Sequence, residues 1–314
     1  MSTMNTAVIP APRAIEVQRL KVIHQTTYHY AAPVDVAHHL AALRLARLPC
    51  QRIEQQELMI APLPASHGRW TDGYGNARDF FSITGSHAVL GVCSAGIVER
   101  AVPGVPTRGQ PWERLRDGLH FRVGVPYDAA AEFALPSPWV ALHPELAAFA
   151  APSFPPGRDV IEGVLDLMRR VHEHFTFDPA GTDVETSALD AFKLAHGVCQ
   201  DYAHVMIGAL RAIGLAARYV SGYLLTNPPP GQPRLIGADA SHAWVSVYCG
   251  ADSGGDGGWL ELDPTNDVIV GSKHVTVAYG RDYGDVTPLR GVLQGGGAHT
   301  LEVAVTVMPM EEEV

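Results

Sequence analysis

No run in this 314-residue chain approaches the ~18 consecutive apolar residues of a membrane-spanning helix, so no membrane partner is expected. The amino end, MSTMNTAVIPAPRA, lacks the continuous apolar core of a secretory signal. Basic residues are the scarcer charge: 23 Lys and Arg stand against 33 Asp and Glu, for a net charge of −10. A nucleic-acid partner normally demands a basic stripe, and this balance argues against one. Cysteine is scarce too, with four in all: Cys50, Cys93, Cys199 and Cys249. That is the usage of a reducing compartment, where disulfides are rare, and the expected location is the cytoplasm. Internal repeats and low-complexity tracts are absent.

What is present suffices for about two domains with cores of their own. Residues 1–17 read as a flexible tail. From Leu20 to about Val102 short alternating segments are broken by turn words such as PLPASHG and DGYGN, so residues 18–105 are expected to form a β-rich domain. The Pro/Gly-rich stretch Val102 to Gln110 marks a boundary. Residues 106–158 carry several prolines and short helical pieces and are expected to wrap between domains. A core follows at 159–292, opening with an amphipathic helix over Asp159 to Phe175 whose Val160, Val164, Leu167, Met168 and Val171 share one face. In the last segment, 293–314, Thr300 to Val307 alternates strictly and reads as a strand. The alternation does not choose between closing the core sheet and docking on the N-terminal domain. The fold class is therefore α+β. Oligomeric state stays open, because exposed patches and domain interfaces look alike in a single sequence.

Three short words carry chemistry: His196-Gly-Val-Cys199-Gln-Asp-Tyr202, Ser241-His242-Ala-Trp244 and Leu262-Asp263-Pro-Thr265. They supply a thiol, an imidazole and a carboxylate, the set that covalent acyl transfer requires. Only a thiolate is a strong nucleophile, and a free thiol with a pKa of roughly 8.5 is mostly protonated at neutral pH. Cys199 to Ile213 reads as a helix, with Tyr202, Val205, Met206, Ala209, Leu210 and Ile213 at helical spacing and Gly214 as its stop. Gly197 permits a tight turn into it. Cys199 then meets unpaired N–H groups and the positive end of the helix dipole, which favour a thiolate. Leu215 to Leu225 follows as a buried strand. Ala243 to Cys249 and Trp259 to Leu262 form a hairpin around the flexible turn Ala251 to Gly258. If Cys249 pairs near Gly258, His242 lies level with about Thr265, within roughly two pairs of Asp263. His242 would take the proton from Cys199 and Asp263 would hold the imidazole.

With these words in view, the chain resembles the transglutaminase-like superfamily of papain-type cysteine enzymes, specifically the bacterial group with a dedicated N-terminal β domain. The core words are GVCQDYAH, AIGLAARYVSGYL, SHAWVSVY, WLELDPTND and GRDYGDVTPLRGV. The N-terminal words are His24-x-Thr26-x-Tyr28-x-Tyr30 with Pro33-Val34, Leu43-Arg44-Leu45, and Asp72-x-x-Gly75-Asn76. The resemblance implies a nucleophile helix packed on an antiparallel sheet, with Cys199, His242 and Asp263 as the catalytic residues. The Gly-Gln-Cys-Trp context of calcium-dependent animal transglutaminases is missing, as is a dense carboxylate cluster, which argues against their crosslinking chemistry. Cofactors and metals are not expected.

Each functional residue has a plainer rival. Cysteine is among the most buried residue types, and Cys50, Cys93 and Cys249, with no base partner in view, read as packing residues. Asp263 before Pro264 could simply open a turn. His172-Glu173-His174 and His38-His39 lack the i, i+4 spacing of a helical zinc pair, and His204 sits roughly 140° around the helix from Cys199. Asp201 and Tyr202 either shape the substrate and oxyanion site or pack, and one oxyanion donor is expected from the Cys199 N–H. The expected substrate is a peptide, protein or amide. A thioester on Cys199 is then resolved by water in an amidohydrolase or peptidase, or by an amine in a transglutaminase; the remaining alternative is a scaffold without turnover.

Overall fold

The computed structural model of the chain describes residues 17–226 and 241–310. Residues 1–16 of the expected tail, and the last four residues of the C-terminal segment, lie outside them. The chain opens with β1 (Val17–Ala41), in which Leu20, Val22, His24 and Thr26 are buried while Lys21 and Gln25 face solvent. This two-residue period gives the strand one inward face. β2 (Gln51–Ala61), β3 (Ser66–Thr71), β4 (Ala77–Ile83) and β5 (His87–Ala101) complete an antiparallel path in the order β2-β5-β1-β4-β3. Residues 102–110 carry no regular element. The segment after it supplies α1 (Trp112–Leu119), α2 (Pro144–Ala150) and two short helical turns.

α3 (Val160–His174) starts where Asp159 Oδ1 accepts the Ile161 N–H at 2.8 Å, satisfying one of the helix's free donors. Then come β6 (Thr176–Phe177), α4 (Ala188–Leu194) capped by Ser187, β7 (His196–Gly197) parallel to β6, and α5 (Cys199–Ala212). β8 (Ala217–Leu224), β9 (Ser241–Tyr248), β10 (Trp259–Asp263), β11 (Val268–Ile269) and β12 (His274–Gly280) form the core sheet, ordered β11-β10-β9-β8-β12. A short α6 (Tyr283–Val286) leads to β13 (Leu289–Gly295) and β14 (His299–Pro309). Both of these last strands pair antiparallel with β1, so the alternating C-terminal strand docks on the N-terminal sheet, not on the core sheet. No helix among the described residues is long and apolar enough to cross a membrane.

Two core elements are buried all round. α5 is not amphipathic, because every residue from Gln200 to Arg211 is buried. The sheet covers one side and α2, α3 and α4 the other. Its polar residues are therefore paired: Arg211 donates to the carbonyls of Phe133, Ala217 and Arg281 and to Ser137 Oγ. β9 is likewise buried on both faces from Ala243 to Tyr248, with Val245 and Val247 in the main core and Trp244 in a second cluster beside Val220 and Tyr279.

The N-terminal sheet grips the open edge of β12. An edge strand leaves a row of N–H and C=O groups unpaired. A register shift between Thr276 and Ala278 turns the free groups outward at Thr276 and Tyr279. Gln51 and Asn76 fill both places as a neighbouring strand would. Gln51 Nε2 donates to Thr276 O at 2.7 Å while its Oε1 accepts Thr276 N–H at 2.8 Å. Asn76 Nδ2 donates to Tyr279 O at 2.7 Å and its Oδ1 accepts Tyr279 N–H at 2.8 Å. Asn76 is aimed by Asp72, whose Oδ1 accepts the Asn76 and Tyr74 amides, and by Gly75, whose φ of 86° completes the turn. The Asp72-x-x-Gly75-Asn76 word is thus a docking device. Asn76→Ala orphans two buried backbone groups and should lower the unfolding free energy by about 1–3 kcal/mol. Gln51→Ala should cost less, since Ala46 N–H still donates to Thr276 O. Urea unfolding checks both; an Asn76→Ala midpoint equal to wild type would contradict the docking role.

Candidate active site

Cys199 is the first residue of α5, immediately after β7. The turn between them is held by Asp201, whose Oδ2 accepts the Val198 N–H at 2.8 Å and the Thr182 hydroxyl at 2.6 Å. Gly197 is needed for a reason beyond tightness: a Cβ there would collide with the Asp201 carboxylate. Asp201 thus acts as a buried scaffold of the helix start, and burial, partly offset by these bonds, raises its pKa. Tyr202 is 2% exposed and packs at a tilt against Phe175, ring centres 4.7 Å apart, which makes it a core residue.

The hairpin register is the one expected from its turn. Cys249 N–H donates to Gly258 O at 2.7 Å, Trp259 pairs with Tyr248 and Leu262 with Val245. His242 and Asp263 meet just beyond the last pair, with Nε2 2.7 Å from Asp263 Oδ2. An ionised carboxylate can only accept, so Nε2 carries a hydrogen and Nδ1 is the ring atom left to exchange a proton. Burial alone would lower the His242 pKa. The hydrogen bond it donates to Asp263, the charge of that carboxylate and the neighbouring Cys199 overcome this and push the imidazole up to about 10.

Asp263 is fully buried and accepts five donors. Oδ1 takes the Thr265 and Asn266 amides at 3.0 and 3.2 Å, the turn that Asp263-Pro264 announced. Oδ2 takes His242, Asn266 Nδ2 at 2.7 Å and His274 Nε2 at 3.1 Å. Burial opposes its charge, but these donors hold it well below the usual carboxylate range. From α3, His172 Nδ1 donates to Thr265 O at 3.1 Å and so pins the same turn. The sequence reading missed His274, Asn266 and His172 in these roles; Asn266, three residues after Asp263, was the one with a turn-like signal.

His242, Asp263 and His274 offer three ligand atoms within 4.8 Å of one another, the spacing of a metal site. The donor set does not fit one. Gly271 N–H donates to His274 Nδ1 at 3.3 Å, so the neutral ring must carry its hydrogen on Nε2, where a metal would need a lone pair. Asn266 Nδ2 points a further donor at the same carboxylate oxygen. Among the other histidines, His204 is fully buried, accepts Tyr283 N–H at Nε2 and is lowered to about 3 by burial and the Arg211 charge. His38 binds Ser82 Oγ. Burial raises the Cys50 thiol to about 11 against the pull of Arg100, raises Cys93, and carries Cys249 to about 12. These three are poor nucleophiles.

The helix start, the His–Asp contact and the docked β sheet together describe a cysteine-enzyme fold, and the chain belongs to the transglutaminase-like superfamily in its bacterial form. Residues 20–99 match the bacterial transglutaminase-like N-terminal region and residues 148–264 the transglutaminase-like superfamily core. An uncharacterized protein of Mycobacterium tuberculosis is 40% identical over 93% of each chain, and one of Mycobacterium leprae is 30% identical over 92% of this chain and 98% of its own. A protein-glutamine gamma-glutamyltransferase of Pseudomonas aeruginosa is 35% identical over 105 residues, which is 32% of this chain and 15% of that protein. A crystal structure of a candidate cysteine protease from Cytophaga hutchinsonii shares the fold, with a TM-score of 0.71, 19% identity and coverage of 95% and 93% of the two chains. If His242 activates Cys199, His242→Ala should slow alkylation of Cys199 by iodoacetamide near pH 6 at least tenfold; equal rates would separate the two residues.

Proposed function

We propose that this protein is a cysteine-dependent acyl-transfer enzyme that cleaves an amide or peptide bond through a thioester on Cys199, with water as the acceptor. The observation that carries the reading is the His242 imidazole, bonded at Nε2 to Asp263 and raised by both that carboxylate and the Cys199 thiol. That is the environment of a base which accepts the thiol proton and holds it until the leaving amine takes it.

The steps follow from the groups present. Cys199 Sγ passes its proton to His242 Nδ1 and attacks the substrate carbonyl carbon. The oxyanion meets the Cys199 N–H at the head of α5, where the helix has no internal acceptor for it. As the C–N bond breaks, His242 returns the proton to the departing amine and the thioester remains. Water then enters, gives a proton to His242 and attacks the same carbon, and the proton returns to Sγ as the acid leaves. Asp263 keeps the ring turned and offsets its charge throughout.

A second reading replaces water with an amine. The likeness to the Pseudomonas aeruginosa gamma-glutamyltransferase over 105 residues favours it. Both readings share the thioester and differ only in its capture. The test is mass spectrometry of the Cys199 adduct after brief exposure to a peptide library, with and without a primary amine. We expect an acyl adduct on Cys199 of wild type and none on Cys199→Ala, with free acid as the product even when amine is present. Amide product would select the second reading, and turnover by Cys199→Ala would end both.

A further inference from the structure

We propose that His274 is a positioning residue for this chemistry: its Nε2–H shares Asp263 Oδ2 with His242 and fixes the oxygen on which the His242 ring turns. The inference rests on the acyl-transfer reading above and adds a fourth residue to it, one that touches neither thiol nor substrate.

The hydrogen-bond inventory leaves His274 one neutral arrangement. A backbone N–H can only donate, so Gly271 fixes Nδ1 as an acceptor. The ionised Asp263 can only accept, so Nε2 must donate. The ring is 5% exposed and stands edge-on to Trp244 at 5.3 Å and 77°, while Trp244 in turn lies 6.1 Å from the His242 ring. The fully buried Trp244 indole thus packs beside both imidazoles. His274 opens β12, the strand that Gln51 and Asn76 hold from the N-terminal sheet. The orienting carboxylate is thereby tied to β9, β10 and β12 at once.

Sharing the oxygen also has an electrostatic consequence. The charged or titratable groups around His242 are Asp263 on β10, His274 on β12 and Cys199 on α5. Glu261, two residues before Asp263, is engaged by Tyr279 Oη at 2.7 Å, and His172 of α3 is spent on the Thr265 carbonyl. Asn266 is neutral. A carboxylate oxygen divided among three donors binds each less strongly than it would bind one. His242 must both take a proton and release it to the leaving amine, so a partner that holds the imidazolium too firmly slows the second half. His274 moderates that hold.

Two substitutions separate the edges of the ring. His274→Asn keeps an acceptor for Gly271 N–H and loses the donor to Asp263; His274→Gln places an amide N–H near the position of Nε2. The measurement is the NMR titration of the His242 ring in wild type, both variants and Cys199→Ala. We expect the His242 midpoint to rise by about one unit in His274→Asn and to return towards wild type in His274→Gln. Should His274→Asn not fold, His274→Ala with and without added imidazole gives the same comparison, with imidazole restoring the midpoint. An unchanged midpoint in a folded variant without the donor, or equal shifts in Asn and Gln, would overturn the proposal. A His242 midpoint that Cys199→Ala leaves untouched would instead sink the acyl-transfer reading, because thiol and imidazole would then not be a pair.

Discussion

A carboxylate with no access to water sits at the centre of this structure, and the surrounding geometry exists to keep it charged. Leaving a buried charge without its partner costs about 3–5 kcal/mol, and Asp263 avoids that only through donors arriving from several elements. The turn after β10 supplies two backbone amides and Asn266, β9 supplies His242 and β12 supplies His274. The turn is held by His172, and the Trp244 ring lies beside both imidazoles. The orientation of His242 is thus a property of the folded sheet and not of one contact.

The same logic explains why the N-terminal domain bears on the site without supplying a residue to its hydrogen-bonded centre. β12 is the outer strand of the core sheet, and without a neighbour its Thr276 and Tyr279 backbone groups would be buried and unpaired. Gln51 and Asn76 provide that neighbour in side-chain form. Other bonds across the same boundary are polar and buried as well. His24 Nδ1 lies 2.8 Å from Tyr223 Oη on β8, one residue along from Gly222, which pairs with His242. The Arg100 guanidinium, fully buried, lies 3.6 Å from Glu261 on β10. Such contacts tolerate little misalignment, because an unmatched buried polar group is costly. They fix the position of the two strands that bracket the catalytic histidine proposed here.

What could be read from the residues follows the range over which physics leaves a local trace. The start of α5 at Cys199 was legible from its apolar spacing and its Gly214 stop, and the His242–Asp263 meeting from the register that the Gly-rich turn imposes. The family words located both parts of the chain. The roles of His274, Gln51 and Asn76 were not legible, since each depends on a contact with no periodicity: Asn76 reaches Tyr279 across 203 positions. The placement of β14 was undetermined for a similar reason, because an alternating strand does not name the sheet it joins. That α5 is buried all round was not legible either, since the helices that cover it leave no period in its own sequence. Gly197 is legible as a turn residue, yet the group that demands it, the Asp201 carboxylate, is a three-dimensional neighbour that the turn signal does not name.

If Cys199, His242 and Asp263 act as one unit, removing a second member costs little once the first is gone. The most direct measurement is a double-mutant cycle on the rate of Cys199 acylation with His242→Ala, Asp263→Asn and the pair combined. The account predicts that Asp263→Asn slows acylation markedly in wild type and leaves the rate of His242→Ala within about twofold. Effects that multiply in the double variant would show that Asp263 acts independently of the imidazole, and would contradict the account.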